Sequence, residues 1–182
     1  GSAAKIIKAC QESDELTVEV WLKPANLIQA GPARLLTVSA NPSNRNFTMG
    51  QDRDFWIMRV RTPVTGNNGT SGGTQFNTFS GTAETRLTHL VFTRDFFETD
   101  TFYVDGVLSE VRFDVGGDFS NWNASYRLGI GGEIDNSRQW LGEIHKVAIY
   151  NRALTETEVA QIFDQLTLKL DVVDVSPARG IH

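Results

Sequence analysis

The sequence predicts an all-β fold: a two-sheet antiparallel jelly-roll sandwich with a short N-terminal and a short C-terminal helix. Three observations predict it. Short runs along most of the 182 residues alternate apolar and polar side chains or are rich in β-branched ones, the two-residue period of a pleated strand with one buried face. Clusters of Gly, Asn, Asp and Pro separate the runs and supply the backbone angles of tight reversals. Helical periodicity is nearly absent between them, which excludes the crossover helices a parallel sheet needs.

The elements follow in order. AAKIIKACQ from Ala3 has the composition of a lead-in helix. Strand runs come next at LTVEVWLK from Leu16, LLTVS from Leu35, NFTMG from Asn46, FWIMRVR from Phe55 and LTHLVFTR from Leu87. TFYVDG from Thr101 and VLSEVRF from Val107 form a hairpin, because Asp105 and Gly106 supply the positive φ angles of a two-residue turn. YRLGIG from Tyr126 and EIHKVAIY from Glu143 complete the strands. TGNNGTSGGT from Thr65 has little to bury and is expected to be a mobile surface loop, the kind of segment that carries binding residues.

The second helix is announced by a capping box, in which Thr155 and Glu158 each satisfy an orphan backbone N–H. Leu154 and Val159 stand at staple positions, and Val159, Ile162, Phe163 and Leu166 make an apolar stripe at helical spacing. After Gln165, LTLKLDVVDV alternates like another strand and SPARG reads as a linker. One domain is therefore expected over residues 1–182, with its core at 3–165 and with 166–182 as an extra strand or a linker toward a following domain.

Composition narrows the function. Seventeen Lys and Arg against 22 Asp and Glu leave a net charge of −5, and the cations are scattered, so nothing attracts a nucleic-acid backbone. No apolar run approaches the roughly 20 residues that span a bilayer, and membrane insertion is not expected. Cys10 is the single cysteine, which rules out an internal disulfide and a thiolate metal cluster.

Several motifs carry a family resemblance. Trp140-Leu141-Gly142, followed by an alternating strand that runs into VAIYNRALTETEV, resembles the closing signature of laminin G-like and pentraxin-like modules of the concanavalin A-like lectin and glucanase superfamily. LTVEVWLKP is similar to the family's first core strand, LTHLVFTRD to its central strand, FYVDGVL to its hairpin and YRLGIGGE to its next-to-last strand. GPARLLTVSANPSNRNFTMGQ from Gly31 resembles a bacterial branch in which the module is attached to larger envelope or secreted proteins. The resemblance implies a non-catalytic recognition module, extracellular or in the periplasm or cell envelope, that binds carbohydrate or a protein surface through rim loops. A spacer with no specific ligand and a β-glucanase are the other roles it leaves open.

The glucanase reading rests on EIDNSR, Glu133 to Arg138. Superfamily glucanases carry a motif that opens with Glu-Ile-Asp and closes with a second Glu, whereas here Ser137 or Arg138 stands at the close. The carboxylate pair of a retaining glycosidase is thus missing, and EIDNSRQW reads as a polar loop. Glu143 and His145 share a strand face, but no Ser or Cys nucleophile motif accompanies them, so a solvated face is expected. His89 and His182 are isolated and lack zinc spacing.

Sugar sites combine aromatic faces with planar amide, carboxylate or guanidinium groups. Candidates for such a site are Asn121, Trp122 and Asn123 in SNWNAS, Asp135, Asn136 and Arg138 in DNSRQW, and Arg45 in SNRNF. In FWIMRVR the alternation sends Trp56, Met58 and Val60 to the core and sets Arg59 and Arg61 side by side on the exposed face. There they would hold a uronate or sulfate, or pair with Glu19 or another carboxylate of a neighbouring strand. Trp122 is the tryptophan expected on display, while Trp140 is expected to cap the sandwich by packing. One structural calcium ion is the cofactor the resemblance implies, with oxygen ligands in GQDRDF from Gly50 and GEIDNS from Gly132. The family's acidic pair after the Ile of the closing strand is His145-Lys146 here, so its ligand set does not transfer.

Overall fold

The computed structural model describes residues 3–29, 31–70, 75–113 and 115–172, with side chains described through 165. Helix α1 (Ala4–Ser13) precedes β1 (Leu16–Pro24), β2 (Ala33–Asn41), β3 (Asn44–Asp52), β4 (Phe55–Val60) and the two-residue β5 (Phe76–Asn77). Then come β6 (Thr88–Arg94), β7 (Asp100–Val104), β8 (Val107–Arg112), β9 (Arg127–Ile130), β10 (Gly142–Tyr150) and helix α2 (Glu156–Val172). The strands build two five-stranded antiparallel sheets, ordered β10-β1-β6-β7-β8 and β5-β4-β3-β2-β9. Every strand expected between Leu16 and Tyr150 is present, and β5 is the addition.

The pleat explains the core. Val18, Val20 and Leu22 of β1 face inward beside Leu90 and Phe92 of β6 and Phe102 of β7. Leu36, Val38, Phe47, Met49, Trp56, Met58 and Val60 oppose them from the second sheet. These residues are almost without solvent contact, and each buried side chain of this size contributes about 1.5–3 kcal/mol. Trp140 closes one end of this layer as expected, its indole Nε1 donating to Gln51 Oε1 at 2.7 Å. Helix α1 closes an edge through Ile7 and Cys10, and burial pushes the Cys10 thiol up to about 12, which leaves it unreactive at neutral pH.

The outer face of the first sheet lies under α2. Val91 and Tyr103 pack against Leu154 and Val159, with Tyr150 and Ile162 beside them. The capping box is formed: Thr155 N–H donates to Glu158 Oε2 at 2.9 Å and Glu158 N–H to Thr155 Oγ1 at 3.3 Å. At the β7–β8 hairpin Asp105 and Gly106 adopt φ 51° and 78°, as the Asp-Gly turn requires. A Cβ at Gly106 would also meet Phe163 at 2.9 Å, so the turn lets the helix approach.

Two expectations are corrected. Leu166 to Val172 continues α2 instead of forming a strand. Alternation alone does not supply a partner edge, whereas each residue added to an existing helix brings its own hydrogen bond. SPARG, residues 176–180, lies outside the described residues. The Thr65 loop, read as a mobile surface segment, is folded down through residue 70: Thr65 is buried, its hydroxyl donates to Val60 O at 2.7 Å, and Asn67 O accepts Arg45 N–H at 3.1 Å. Residues 71–74 of that segment are not among those described.

Candidate functional site

The second sheet has a polar outer face. Cross-strand partners share a face, and the register sets Thr37 of β2 opposite Thr48 of β3, Thr48 opposite Arg59 of β4, and Ser39 of β2 opposite Arg45 of β3. The Thr37 and Thr48 hydroxyls are bonded to each other at 2.7 Å. A register shift at Leu35 in β2 brings Arg34 onto this side and another at Asn46 in β3 brings Arg45 there, both out of phase with simple alternation. The loop between β9 and β10 lies over the floor. Gly129 allows this, since a Cβ there would sit 2.8 Å from Gly132 O.

Within this loop Glu133 turns inward. It accepts from Ser39 Oγ in a short hydrogen bond and from Ile134 N–H at 3.1 Å, and it pairs with Arg34 Nε at 3.4 Å. Arg34 Nη1 also donates to Pro32 O at 3.1 Å. Arg59 is half-buried and donates from Nε to Gln75 Oε1 at 2.7 Å. Arg138, exposed on the loop, donates to Gly31 O. Arg45 differs from all of these: it is 0% exposed, and Nε, Nη1 and Nη2 have no hydrogen-bond partner among the described residues.

The electrostatics follow from that crowding. Burial, then the like charges of Arg34 and Arg59, push the Arg45 guanidinium down to about 9. Burial followed by Arg34 and Arg138 takes Arg59 down to about 10. Arg34 is lowered by burial too, with Glu133 opposing. Four guanidinium groups therefore crowd together, with Glu133 the buried carboxylate beside Arg34 and Arg45, while Asp52 and Asp135 are more exposed. Chemically, the arrangement favours an anion or a polyhydroxy ligand.

The candidate residues from the sequence divide into groups. Arg45, Arg59 and Arg138 gather here. Asp135 and Asn136 share the loop but are exposed, and the Asp135 carboxylate accepts from Ser137 N–H at 3.0 Å. Arg61 is separated from Arg59: it lies past the end of β4, and its Nη1 reaches the Tyr126 hydroxyl at 3.4 Å. Trp122 is corrected from a displayed platform to a core residue. It is 5% exposed, stacks on Phe119 at 4.2 Å between centroids and donates from Nε1 to Arg61 O at 2.7 Å. The physical reason is area: an indole this large gains most by filling the sandwich end. Asn121 is half-buried in the same turn, and Asn123 is exposed, its Oδ1 bonded to Ser125 N–H at 2.9 Å.

Arg34, Thr37, Ser39 and Thr48 were not predicted, and Glu133 was read only in the glucanase-like motif and the calcium loop. Thr37 and Ser39 could have been found, because they are the polar alternates of LLTVS, but the register shift hides Arg34. Glu19 takes no part in this cluster. It lies on the other sheet, bonded to Lys146 Nζ at 2.7 Å and the Tyr150 hydroxyl at 2.9 Å. Glu143 and His145 approach within 3.3 Å on a solvated stretch of β10, as the alternation predicts.

Three carboxylates of the two acidic loops have protein partners. Asp54 accepts from Ser80 Oγ, Asp135 from Ser137, and Glu133 is held by Arg34 and Ser39. Among the described residues no three His, Cys, Asp or Glu side chains are placed to hold one ion. Nor is any helix there long and apolar enough to cross a membrane.

Comparison with known proteins joins the fold to a family. Residues 2–160 match the concanavalin A-like lectin/glucanases superfamily, whereas no curated protein matches the sequence. Among solved structures, the Ruminococcus gnavus IT-sialidase CBM40 is similar over 89% of this chain and 90% of its own, at 12% identity and a TM-score of 0.66. The same module bound to α2,3 sialyllactose is similar over 83% of each chain, at 13% identity and a TM-score of 0.64. The botulinum neurotoxin type G receptor binding domain is similar over 84% of this chain at 14% identity and a TM-score of 0.60, and the serotype D/C binding domain over 86% at 13% and 0.58. The chain covers only 38% and 37% of those two toxin domains. These neighbours are carbohydrate-binding or receptor-binding domains, and at such identities the likeness is one of fold. On its two antiparallel sheets and a match that spans nearly its whole length, the chain belongs to the concanavalin A-like lectin/glucanases superfamily.

Proposed function

We propose that the chain is a non-catalytic recognition module of a larger secreted or envelope protein, and that it binds carbohydrate on a surface outside the cell. One observation carries this reading. The outer face of the second sheet, including Arg34, Thr37, Ser39, Arg45, Thr48 and Arg59, is polar although most of it is shielded from water. A face built only for packing would be apolar there. The neighbours' names support the same class of role, including a sialyllactose-bearing module.

Against catalysis, the one buried carboxylate of the glucanase-like motif is engaged by a guanidinium and a hydroxyl. Glycoside hydrolysis needs two carboxyl groups facing a sugar. The spacer reading has one observation in its favour, which is that Arg34 and Arg45 are closed off from solvent.

A broad glycan array with and without EDTA tests the proposal, run on the wild-type chain and on Arg59→Ala. Specific retention of at least one glycan class, reduced in Arg59→Ala, is the expected outcome. Loss of that retention in EDTA would assign a calcium ion to the site. No retention on any glycan leaves the spacer role. Release of reducing ends from β-glucan would overturn the non-catalytic assignment.

A further inference from the structure

We propose that Arg45 anchors a carboxylate-binding site for an acidic sugar, an inference that rests on the glycan-recognition role above. The central fact is that all three guanidinium nitrogens of a completely buried arginine lack an acceptor among the described residues. Buried charges are normally paired, and an orphan of this kind points to a missing anion.

The surroundings add to the deficit. Arg34, Arg59 and Arg138 raise the positive potential at Arg45, and Glu133 is the carboxylate that offsets it. The Glu133 oxygens are engaged by Ser39, Ile134 and Arg34. Asp135 is turned onto Ser137. None of these supplies Arg45 with a hydrogen-bonded partner.

The floor also shows which anion suits it. Glu133 demonstrates that a planar carboxylate fits between a guanidinium and a hydroxyl on this face, and Arg45 stands opposite the same Ser39 in the register. A guanidinium grips a second carboxylate through two parallel N–H bonds. The nearby Thr37 and Thr48 hydroxyls are of the kind that meet sugar hydroxyls. Because the Arg45 nitrogens touch no solvent, the 131–139 loop must shift to admit the acid, and association should be slower than an open site allows.

The test uses the whole chain and three variants of the ligand at constant ionic strength. Glucuronate-, galacturonate- and sialate-bearing oligosaccharides are compared with their carboxyl-reduced and sulfated counterparts by calorimetry, on wild type, Arg45→Lys and Arg45→Met. Wild type is expected to bind an acidic oligosaccharide at least about tenfold more tightly than its reduced form, and Arg45→Met to lose that preference. Arg45→Met without ligand should melt at or above wild type, since it removes an unpaired buried charge. Equal binding of acidic and reduced sugars, or an unchanged preference in Arg45→Met, overturns the proposal. A preference confined to the sulfated sugars overturns it as well, and so does an Arg45→Met melting point well below wild type, which would reveal a structural partner. If no oligosaccharide binds but free glucuronate raises the wild-type melting temperature and not that of Arg45→Met, the anion site stands and the glycan role falls.

Discussion

Replacing Glu19 by Gln should reveal a pH-dependent contribution to folding. Glu19 is completely buried on β1 beneath α2, with Lys146 Nζ at 2.7 Å, the Tyr150 hydroxyl at 2.9 Å and His89 Nε2 at 3.4 Å. Burial alone raises its pKa, but His89 beside it and the bonds from Lys146 and Tyr150 outweigh burial and hold the carboxyl at about 2 instead of the usual 4.5. A carboxyl depressed in this way adds stability that is complete above its unfolded value and disappears as pH falls toward its folded one. Such a depression corresponds to about 3 kcal/mol at neutral pH, of which about 2 kcal/mol is gone by pH 3. Gln keeps the shape and resembles the protonated acid. Urea unfolding followed by tryptophan fluorescence at pH 7, 5, 4 and 3 measures the gap between the two proteins. The gap should be about 3 kcal/mol at pH 7 and 5 and narrow to about 1 kcal/mol at pH 3. A gap below 1 kcal/mol at pH 7, or one that does not change with pH, would refute the assignment of Glu19 as an ionised, paired carboxylate.

Trp122→Ala should cost about 3–5 kcal/mol in urea unfolding, as core truncations of large aromatics do, because its ring fills the space between Phe47 and Phe119; a cost under 1 kcal/mol would return it to the surface. Thr155→Ala removes one half of the capping box and should lower stability by about 1 kcal/mol, read from the same unfolding curves. Glu143→Gln and His145→Ala should each change stability by less than about 0.5 kcal/mol and leave glycan retention untouched, as expected of an exposed pair. A loss of retention in either variant would place the binding face on β10.

The strands were legible because their signal is local. The polar positions of LTVEVWLK, FWIMRVR and LTHLVFTR alternate with residues that do face the core, and Asp-Gly marks the hairpin by backbone angle alone. The second helix was legible for the same reason, since its box and staple lie within a few residues of each other. Its far end was not. LTLKLDV has the pattern of a strand, and only the helix already running into it decides otherwise.

The site was legible in part. Arg45, Arg59 and Arg138 were singled out by residue type, yet nothing in the sequence says that three segments so far apart share one face. Trp122 shows the converse: a tryptophan among Asn and Ser looks like a surface residue until Phe119 and Phe47 are seen to enclose it.

By itself, then, the sequence determined the sandwich, the succession of strands along the chain, the capped helix and the lack of a paired acid in the Glu133 motif. Those properties depend on two-residue alternation, turn geometry and composition, which are written over short distances. Tertiary structure alone decided that register shifts in β2 and β3 carry Arg34 and Arg45 to the outer face, that Glu133 is engaged by Arg34 and Ser39, and that the Arg45 guanidinium has no hydrogen-bond partner among the described residues. Burial and pairing are properties of what surrounds a group in space, and chain neighbours do not report them.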